Sequence, residues 1–121
     1  MDLINLIIAL FSIGFGAFGW LAPRYTMQVV DLADGGSTMG MSEVRAASGG
    51  VFVITGLAAL LIGSPAAYLM AGLVWGGGAT GRLISLIIDG QTSKKWYFFA
   101  IEAAVAIAAI ANNWSVLTAS A

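Results

Sequence analysis

The chain lacks two residue types that carry much of protein chemistry, since none of its 121 residues is cysteine or histidine. The absence of cysteine excludes disulfides, thiol nucleophiles and thiolate metal ligands. The absence of histidine removes imidazole ligands for zinc or haem iron, together with the commonest general base. We therefore expect no metal and no cofactor, and we assign no catalytic residue.

Charged side chains are also scarce, at 9% of the chain against 60% hydrophobic residues. Soluble domains usually carry about 25% charged residues, so these charges are too few to cover a surface in water. The net charge is −1 and no basic run occurs, which argues against a nucleic acid partner. Membrane lipid is the expected partner of most of the chain.

Four long apolar runs account for most of the length, and turn or helix-end residues bound each of them. A helix that crosses a bilayer needs roughly 20 mostly apolar residues, all of whose backbone groups must be paired. Because the runs do not alternate with period two, a β-barrel is rejected. The sequence predicts an all-α integral membrane four-helix bundle, with residues 1–121 as one transmembrane domain and helices at about residues 3–22, 42–62, 65–88 and 96–113.

The longest connection lies between the first and second runs, from Arg24 to Met41. Its first part, Tyr25 to Leu32, has apolar residues spaced as in a short helix that lies in the membrane interface. An ordered connector is the alternative, and so short a pattern does not separate the two interpretations.

The cations all fall on one side of the predicted bundle, in the first and third connections or the helix halves that face them. Cytoplasmic loops of membrane proteins are enriched in Lys and Arg. We therefore expect these connections in the cytoplasm, both termini on the periplasmic side, and a multi-pass protein of the bacterial inner membrane. The cations are Arg24, Arg45, Arg82, Lys94 and Lys95.

Two charges lie inside the apolar runs. Arg82 precedes Asp89, the end of the third run, by seven residues, which is about 10 Å at 1.5 Å per residue. Glu102 follows Trp96, the start of the fourth run, by six residues, which is about 9 Å. Equal depth in antiparallel neighbours predicts an Arg82–Glu102 ion pair, and pairing lowers the cost of holding either charge in a membrane.

Other ionisable side chains are expected at the same level. Arg82, Ser85 and Asp89 recur at helical spacing on one face, and Arg45 begins a comparable stripe on the second helix. The sequence predicts one polar cluster near the cytoplasmic side, formed by Glu43, Arg45, Arg82, Asp89 and Glu102. The candidates for lining a pocket beside it are Ser48, Phe52, Trp75 and Ser85.

Residues 14–19 and 76–81 both match G-x-G-x-x-G, the pattern of dinucleotide-binding folds. That pattern needs a strand before the glycines and a helix after them, whereas both matches lie within apolar runs. Close packing of helices through small residues is the better interpretation. The glycines expected at such contacts are Gly16, Gly19, Gly49, Gly50, Gly56, Gly72 and Gly76.

Several short motifs recur in one known family. They are Glu43-Val44-Arg45-Ala46, Gly49-Gly50, Gly81-Arg82, Ser85, Asp89-Gly90, Glu102 in the fourth run, and Pro23 closing the first. Together they resemble domain-of-unknown-function family 4345, a group of small four-helix bacterial membrane proteins. The resemblance covers nearly the whole chain and implies the four-helix fold. It marks the same five ionisable residues and supplies no activity.

Three functions stay open for such a cluster. The first is binding of a lipid-like or amphiphilic small molecule, because ionisable residues within membranes are commonly functional. The second is a structural ion network in a homo-oligomer or a subunit of a larger membrane complex. The third is an enzyme acting on an apolar substrate, with Glu102 or Asp89 as acid or base. It ranks last because burial and a neighbouring arginine act on such an acid in opposite directions.

Overall fold

The computed structural model describes residues 2–119, and every regular element within this range is helical. Four helical stretches are long and apolar enough to cross a membrane, namely Leu3–Leu21, Met39–Ile62, Pro65–Ile88 and Ser93–Asn112. The all-α fold class and the four candidate membrane spans predicted from the sequence are confirmed.

The helices are α1 (Leu3–Leu21), α2 (Pro23–Val29), α3 (Met39–Glu43), α4 (Val51–Ile62), α5 (Pro65–Ile88), α6 (Ser93–Asn112) and α7 (Ser115–Ala119). A π-helical segment, Val44–Gly50, joins α3 to α4, so these three form one candidate span. The second span begins at Met39, three residues before the predicted start, and the fourth begins at Ser93, also three residues early.

Polar caps explain where the last two spans begin. At the start of α5, the Ser64 side chain accepts a 3.3 Å hydrogen bond from the Ala67 backbone N–H. At the start of α6, the Thr92 hydroxyl accepts a 3.2 Å hydrogen bond from Lys95 N–H. Such caps satisfy backbone donors that the first turn of a helix leaves unpaired. Because Thr92 is polar, an apolar pattern that begins at Trp96 misses the first turn of α6.

The connection after α1 contains a short helix, as the first interpretation of this segment predicts, and its position relative to a membrane stays a prediction. α2 begins at Pro23 and carries the buried side chain of Met27. The fixed φ of proline suits the first position of a helix. The helix runs from Pro23 to Val29, two residues earlier than the predicted start at Tyr25.

The chain divides into two compact units. One consists of Ala9–Leu61, and the other consists of residues 2–8 together with residues 62–119. In the first unit, α1 meets the second span backbone to backbone. A Cβ atom added to Gly19 would lie 2.8 Å from the carbonyl carbon of Ser48, and one added to Gly49 would lie 2.8 Å from the Cα of Trp20. Gly16 and Gly56 are packed as closely, which confirms the contacts predicted for these four glycines. Gly50 is packed less tightly, because an added Cβ atom there would lie 3.6 Å from the carbonyl oxygen of Arg45 and 3.8 Å from the indole nitrogen of Trp20.

In the second unit, α5 and α6 pack as an antiparallel hairpin through small residues. A Cβ atom added to Gly72 would lie 2.6 Å from the Cβ of Ala109, and one added to Gly76 would lie 3.6 Å from that of Ala106. Small residues let helix backbones approach closely in membranes. The predicted contacts at both glycines are confirmed, and the one at Gly76 is looser.

Large apolar side chains point outward along the spans. Leu21, Leu61 and Ile87 are 74%, 78% and 74% exposed. Soluble monomers rarely expose large contiguous apolar patches. The outward surface is therefore the kind that hydrocarbon covers, which agrees with the four candidate spans.

Candidate functional site

An ion pair links the two charges predicted to lie within the spans. Arg82 Nε on α5 donates a hydrogen bond to Glu102 Oε1 on α6 at 2.8 Å. The Glu102 side chain is 8% exposed, whereas that of Arg82 is 33% exposed. The carboxylate is therefore buried while the guanidinium reaches the surface, and the predicted pair is confirmed.

Two further contacts hold this pair in place. The guanidinium carbon of Arg82 lies 5.5 Å from the centroid of the Phe98 ring, which is within cation–π range. The Glu102 carboxylate lies against α5 at Gly78, where an added Cβ atom would be 2.6 Å from Oε2. The sequence pattern did not indicate Phe98. Its position four residues before Glu102 puts both on one helix face, and that spacing was the available signal.

The two other predicted carboxylates are exposed. Asp89 follows the last residue of α5, and its backbone N–H donates to the Ser85 carbonyl at 2.8 Å. Glu43 is the last residue of α3. Within residues 2–119 neither carboxylate forms an ion pair, and a single cluster of all five ionisable residues stays a prediction.

Arg45 lies in the π-helical segment and reaches the end of α1. Its Nη1 donates a 2.8 Å hydrogen bond to the carbonyl oxygen of Trp20. The last carbonyls of a helix have no partner within that helix, and arginine side chains commonly supply one. The bond therefore stabilises the end of α1, and it holds the guanidinium beside Trp20.

An open groove of about 570 Å³ surrounds Arg45. Pockets that bind small molecules commonly have volumes in this range. The groove combines one cation, two hydroxyls, apolar surface and an indole, and no acidic side chain is among its lining residues. These are Trp20, Thr38, Met41, Ser42, Arg45, Ala46 and Gly50.

The π-helical segment shapes this groove. A π-helical turn closes with i→i+5 hydrogen bonds, so it holds about one residue more than an α-helical turn, and such turns are frequent at functional sites. One extra residue rotates the preceding residues by about 100° around the helix axis. Ser42 precedes the π-helical segment and Arg45 lies within it. The segment therefore determines whether the side chains of these two residues lie on the same face of the span.

The comparison with known families decides the membership of the chain. The family model for the domain of unknown function (DUF4345) matches residues 1–112, nearly the whole chain. The chain belongs to the DUF4345 family. The resemblance seen in its motifs is thereby confirmed. No curated protein and no solved structure matches this DUF4345 chain.

The four side chains that the DUF4345 sequence suggested for a pocket lie outside the groove around Arg45. Trp75 is fully buried in α5. Ser48 and Ser85 are half-buried, and the backbone carbonyl of Phe52 accepts a hydrogen bond from an α1 side chain. Of the predicted site residues, Arg45 alone lines this groove, and the sequence pattern did not predict the other lining residues as part of a pocket.

A second polar site of the DUF4345 chain joins the start of α1 to the end of α6. Asn5 and Asn113 exchange two amide hydrogen bonds of 2.9 Å, and they are 6% and 2% exposed. Asn113 also donates to the Ala109 carbonyl at 2.8 Å. The sequence signal for this site was Asn5, a lone amide within an otherwise apolar run.

Asp2 completes this second polar site from the surface. Its Oδ2 accepts a 2.9 Å hydrogen bond from the Asn112 amide, and its Oδ1 accepts from the backbone N–H groups of Ile4 and Asn5. The Asn112 bond, followed by the Asn5 and Ile4 bonds, lowers the pKa of Asp2 below its ordinary value. Each of these bonds favours the charged carboxylate.

Proposed function

We propose that this DUF4345 protein is a multi-pass protein of the bacterial inner membrane that binds an anionic amphiphile in the groove around Arg45. The observation that carries the proposal is an exposed guanidinium, fixed by the Trp20 carbonyl, in a groove that no acidic residue lines. A single uncompensated cation favours an anionic headgroup, because opposite charges attract strongly at the edge of a low-dielectric medium.

The position of the groove along the spans supports a headgroup rather than a fully buried ligand. Trp20 is the second-last residue of α1, and Thr38 immediately precedes the second span. The C-terminal end of the first span and the N-terminal end of the second span should both lie at the interface between membrane and water, where tryptophan side chains are enriched. Headgroups of membrane amphiphiles occupy that level, and their chains extend along the apolar surface of the spans.

Arg82 is a poorer candidate for the headgroup. Its charge is compensated by Glu102 at 2.8 Å, and its guanidinium carbon lies over the Phe98 ring, 5.5 Å from the centroid. An ion pair with a buried carboxylate can serve the specificity of helix packing, and its cation has less charge to offer a ligand. We therefore assign the Arg82–Glu102 pair to the α5–α6 hairpin and the ligand to Arg45.

The test is retention of an amphiphile through purification. The protein is extracted in a mild detergent, and bound small molecules are identified by native and denaturing mass spectrometry. We expect Arg45→Ala to reduce the retained anionic amphiphile at least about tenfold, since a hydrogen bond to a charged group contributes about 1.5–3 kcal/mol. Equal retention by Arg45→Ala and the unsubstituted protein would contradict the proposal.

Two further variants separate binding from damage to the fold. Arg24→Ala removes the same charge from an exposed residue of α2 that does not line the groove, so it should retain the amphiphile. Ala46→Phe keeps Arg45 and fills the groove beside it, so it should release the amphiphile while thermal stability is unchanged. Retention by the Ala46→Phe variant would also contradict the proposal.

A further inference from the structure

We infer that the headgroup bound beside Arg45 is a phosphate ester rather than a carboxylate. This inference rests on the proposed function and names the chemical class of its ligand. It follows from how many hydrogen-bond donors line the groove and from how they are arranged around the guanidinium.

The Arg45 side chain is only partly used by the fold. A guanidinium carries five N–H donors in a planar fork, and within residues 2–119 its one hydrogen-bond acceptor is the Trp20 carbonyl. An edge with two parallel N–H groups is therefore left for a ligand. Such an edge binds two oxygens of a carboxylate or of a phosphate equally well in geometric terms.

Three more residues that line the same groove carry side-chain donors. They are Trp20, which has an indole N–H, and Thr38 and Ser42, which have hydroxyls. In the part of the chain that the structure describes, none of these three groups donates a side-chain hydrogen bond. The indole nitrogen faces the helix at Gly50, where an added Cβ atom would lie 3.8 Å from it.

This number of donors exceeds what a carboxylate can use. The two oxygens of a carboxylate offer about four lone pairs, all in one plane. The guanidinium edge takes one lone pair of each oxygen, so two in-plane lone pairs remain for three further donors. A phosphate ester has further oxygens that point out of that plane, toward donors on other walls. Because the donors come from α1, from the residue before α3 and from the second span, a tetrahedral anion satisfies more of them than a planar one. Unsatisfied donors that lose water on binding cost affinity.

The remaining lining supplies surface for an alkyl chain. Met41 and Ala46, which carry apolar side chains, are also among the residues that line the groove. A ligand with both a phosphate and an apolar tail therefore contacts both kinds of surface. The source to which we commit is an amphiphile, and free phosphate is a competing outcome of the test.

The experiment compares four probes on the purified full chain in a nonionic detergent. Dodecyl phosphate, dodecanoate and dodecanol share one alkyl chain and differ in headgroup, and inorganic phosphate has the headgroup alone. Dissociation constants are measured by isothermal titration calorimetry. We expect dodecyl phosphate to bind about tenfold more tightly than dodecanoate, as one additional charged hydrogen bond would give, and both to bind more tightly than dodecanol and inorganic phosphate.

Each result has a distinct meaning. Equal affinity for dodecanoate and dodecyl phosphate overturns the phosphate inference and leaves the proposed function standing. No preference for either anion over dodecanol overturns both. Inorganic phosphate binding as tightly as dodecyl phosphate overturns the assignment to an amphiphile, because the site would then serve a free anion.

Variants of the hydroxyl donors give an independent check. Ser42→Ala combined with Thr38→Val should weaken dodecyl phosphate about tenfold or more and leave dodecanoate within about twofold, since the out-of-plane oxygens of the tetrahedral anion reach these donors better than the in-plane lone pairs of a carboxylate. Ser37→Ala is the matched control, because the Ser37 hydroxyl accepts from Met39 N–H and does not line the groove. Equal weakening of both ligands by the double variant would overturn the inference.

Discussion

The Glu102 carboxylate occupies the space that a side chain at Gly78 would need, since a Cβ atom there would lie 2.6 Å from Glu102 Oε2. The other carboxylate oxygen accepts the Arg82 hydrogen bond at 2.8 Å. Gly78 and Arg82 lie one helical turn apart on α5, so the same turn provides both the space and the counter-charge for the acid. This relationship gives a sharp comparison between neighbouring glycines.

Substitution of Gly78 by alanine should destabilise the protein, because the methyl group displaces the carboxylate and strains its bond to Arg82. Gly77→Ala is the control, since an added Cβ atom at Gly77 has no atom within 4 Å. We expect Gly77→Ala to be neutral or stabilising by up to about 1 kcal/mol, as alanine is in helix interiors. The measurement is the midpoint of thermal unfolding in detergent, and an equal midpoint for the two variants would contradict the packing at Gly78.

Removal of Arg82 alone from the Arg82–Glu102 ion pair should lower the free energy of unfolding more than removal of both partners. Arg82→Met leaves the Glu102 carboxylate buried without a counter-charge, which commonly costs about 3–5 kcal/mol. Glu102→Gln should cost less, because the Arg82 side chain is 33% exposed and can extend toward the headgroups. The combination of Arg82→Met with Glu102→Leu should recover part of the loss.

A double-mutant cycle measures this coupling directly. Unfolding free energies are compared for the unsubstituted protein, Arg82→Met, Glu102→Leu and the double variant. We expect the effects of the single substitutions to sum to more than the effect of the double substitution. Strict additivity would show that the hydrogen bond contributes nothing to stability.

The four spans and the Arg82–Glu102 ion pair could be predicted from the hydropathy of the chain and from distances along the helix axes. The four spans follow from runs of apolar residues, and the Arg82–Glu102 pair follows from equal distances to one helix connection. Both inferences use positions along helix axes, which a sequence states directly. The start of α6 was placed three residues late, because the Thr92 cap is a polar interaction that an apolar pattern does not register.

The groove around Arg45 and the contact of Arg82 with Phe98 were not predicted, because both depend on how the helices are rotated about their axes. The groove forms because Arg45 lies on the face of the second span that meets Trp20. The π-helical segment Val44–Gly50 changes which residues lie on that face. Nothing in the composition of this segment distinguishes a π-helical from an α-helical turn. The cation–π contact of Arg82 with Phe98 likewise depends on the rotation of α5 and α6 about their axes, and the boundaries of the apolar runs do not determine it.

The buried amide pair should be sensitive to substitution on either side. Asn113→Leu leaves the amide of Asn5 without its reciprocal partner, and an unsatisfied buried polar group costs about 1–3 kcal/mol. Asn112 also donates to Asn5 but is only half-buried, so Asn112→Leu should cost less. Thermal unfolding of the two variants gives the comparison, and a larger loss from Asn112→Leu would contradict the placement of the pair.

Acid should weaken the second polar site through Asp2. The pKa of Asp2 in the folded chain lies below the ordinary value of 3.8, chiefly because the Asn112 amide donates to the carboxylate. A lowered pKa in the folded state means that the unfolded chain binds the proton more readily. The stabilisation is therefore fully present above the ordinary pKa, and it is lost as the pH falls through the lower, folded value.

Comparison with Asp2→Asn isolates this effect from other acid-dependent changes. The difference in unfolding midpoint between the two proteins should be constant between pH 6 and 8, because Asp2 is charged in both states there, and it should shrink below about pH 4. Asn112→Leu should abolish most of the pH dependence, since it removes the largest cause of the lowered pKa. A difference that grows as the pH falls below the ordinary pKa would reverse the sign of the linkage and contradict the hydrogen bond between Asn112 and Asp2.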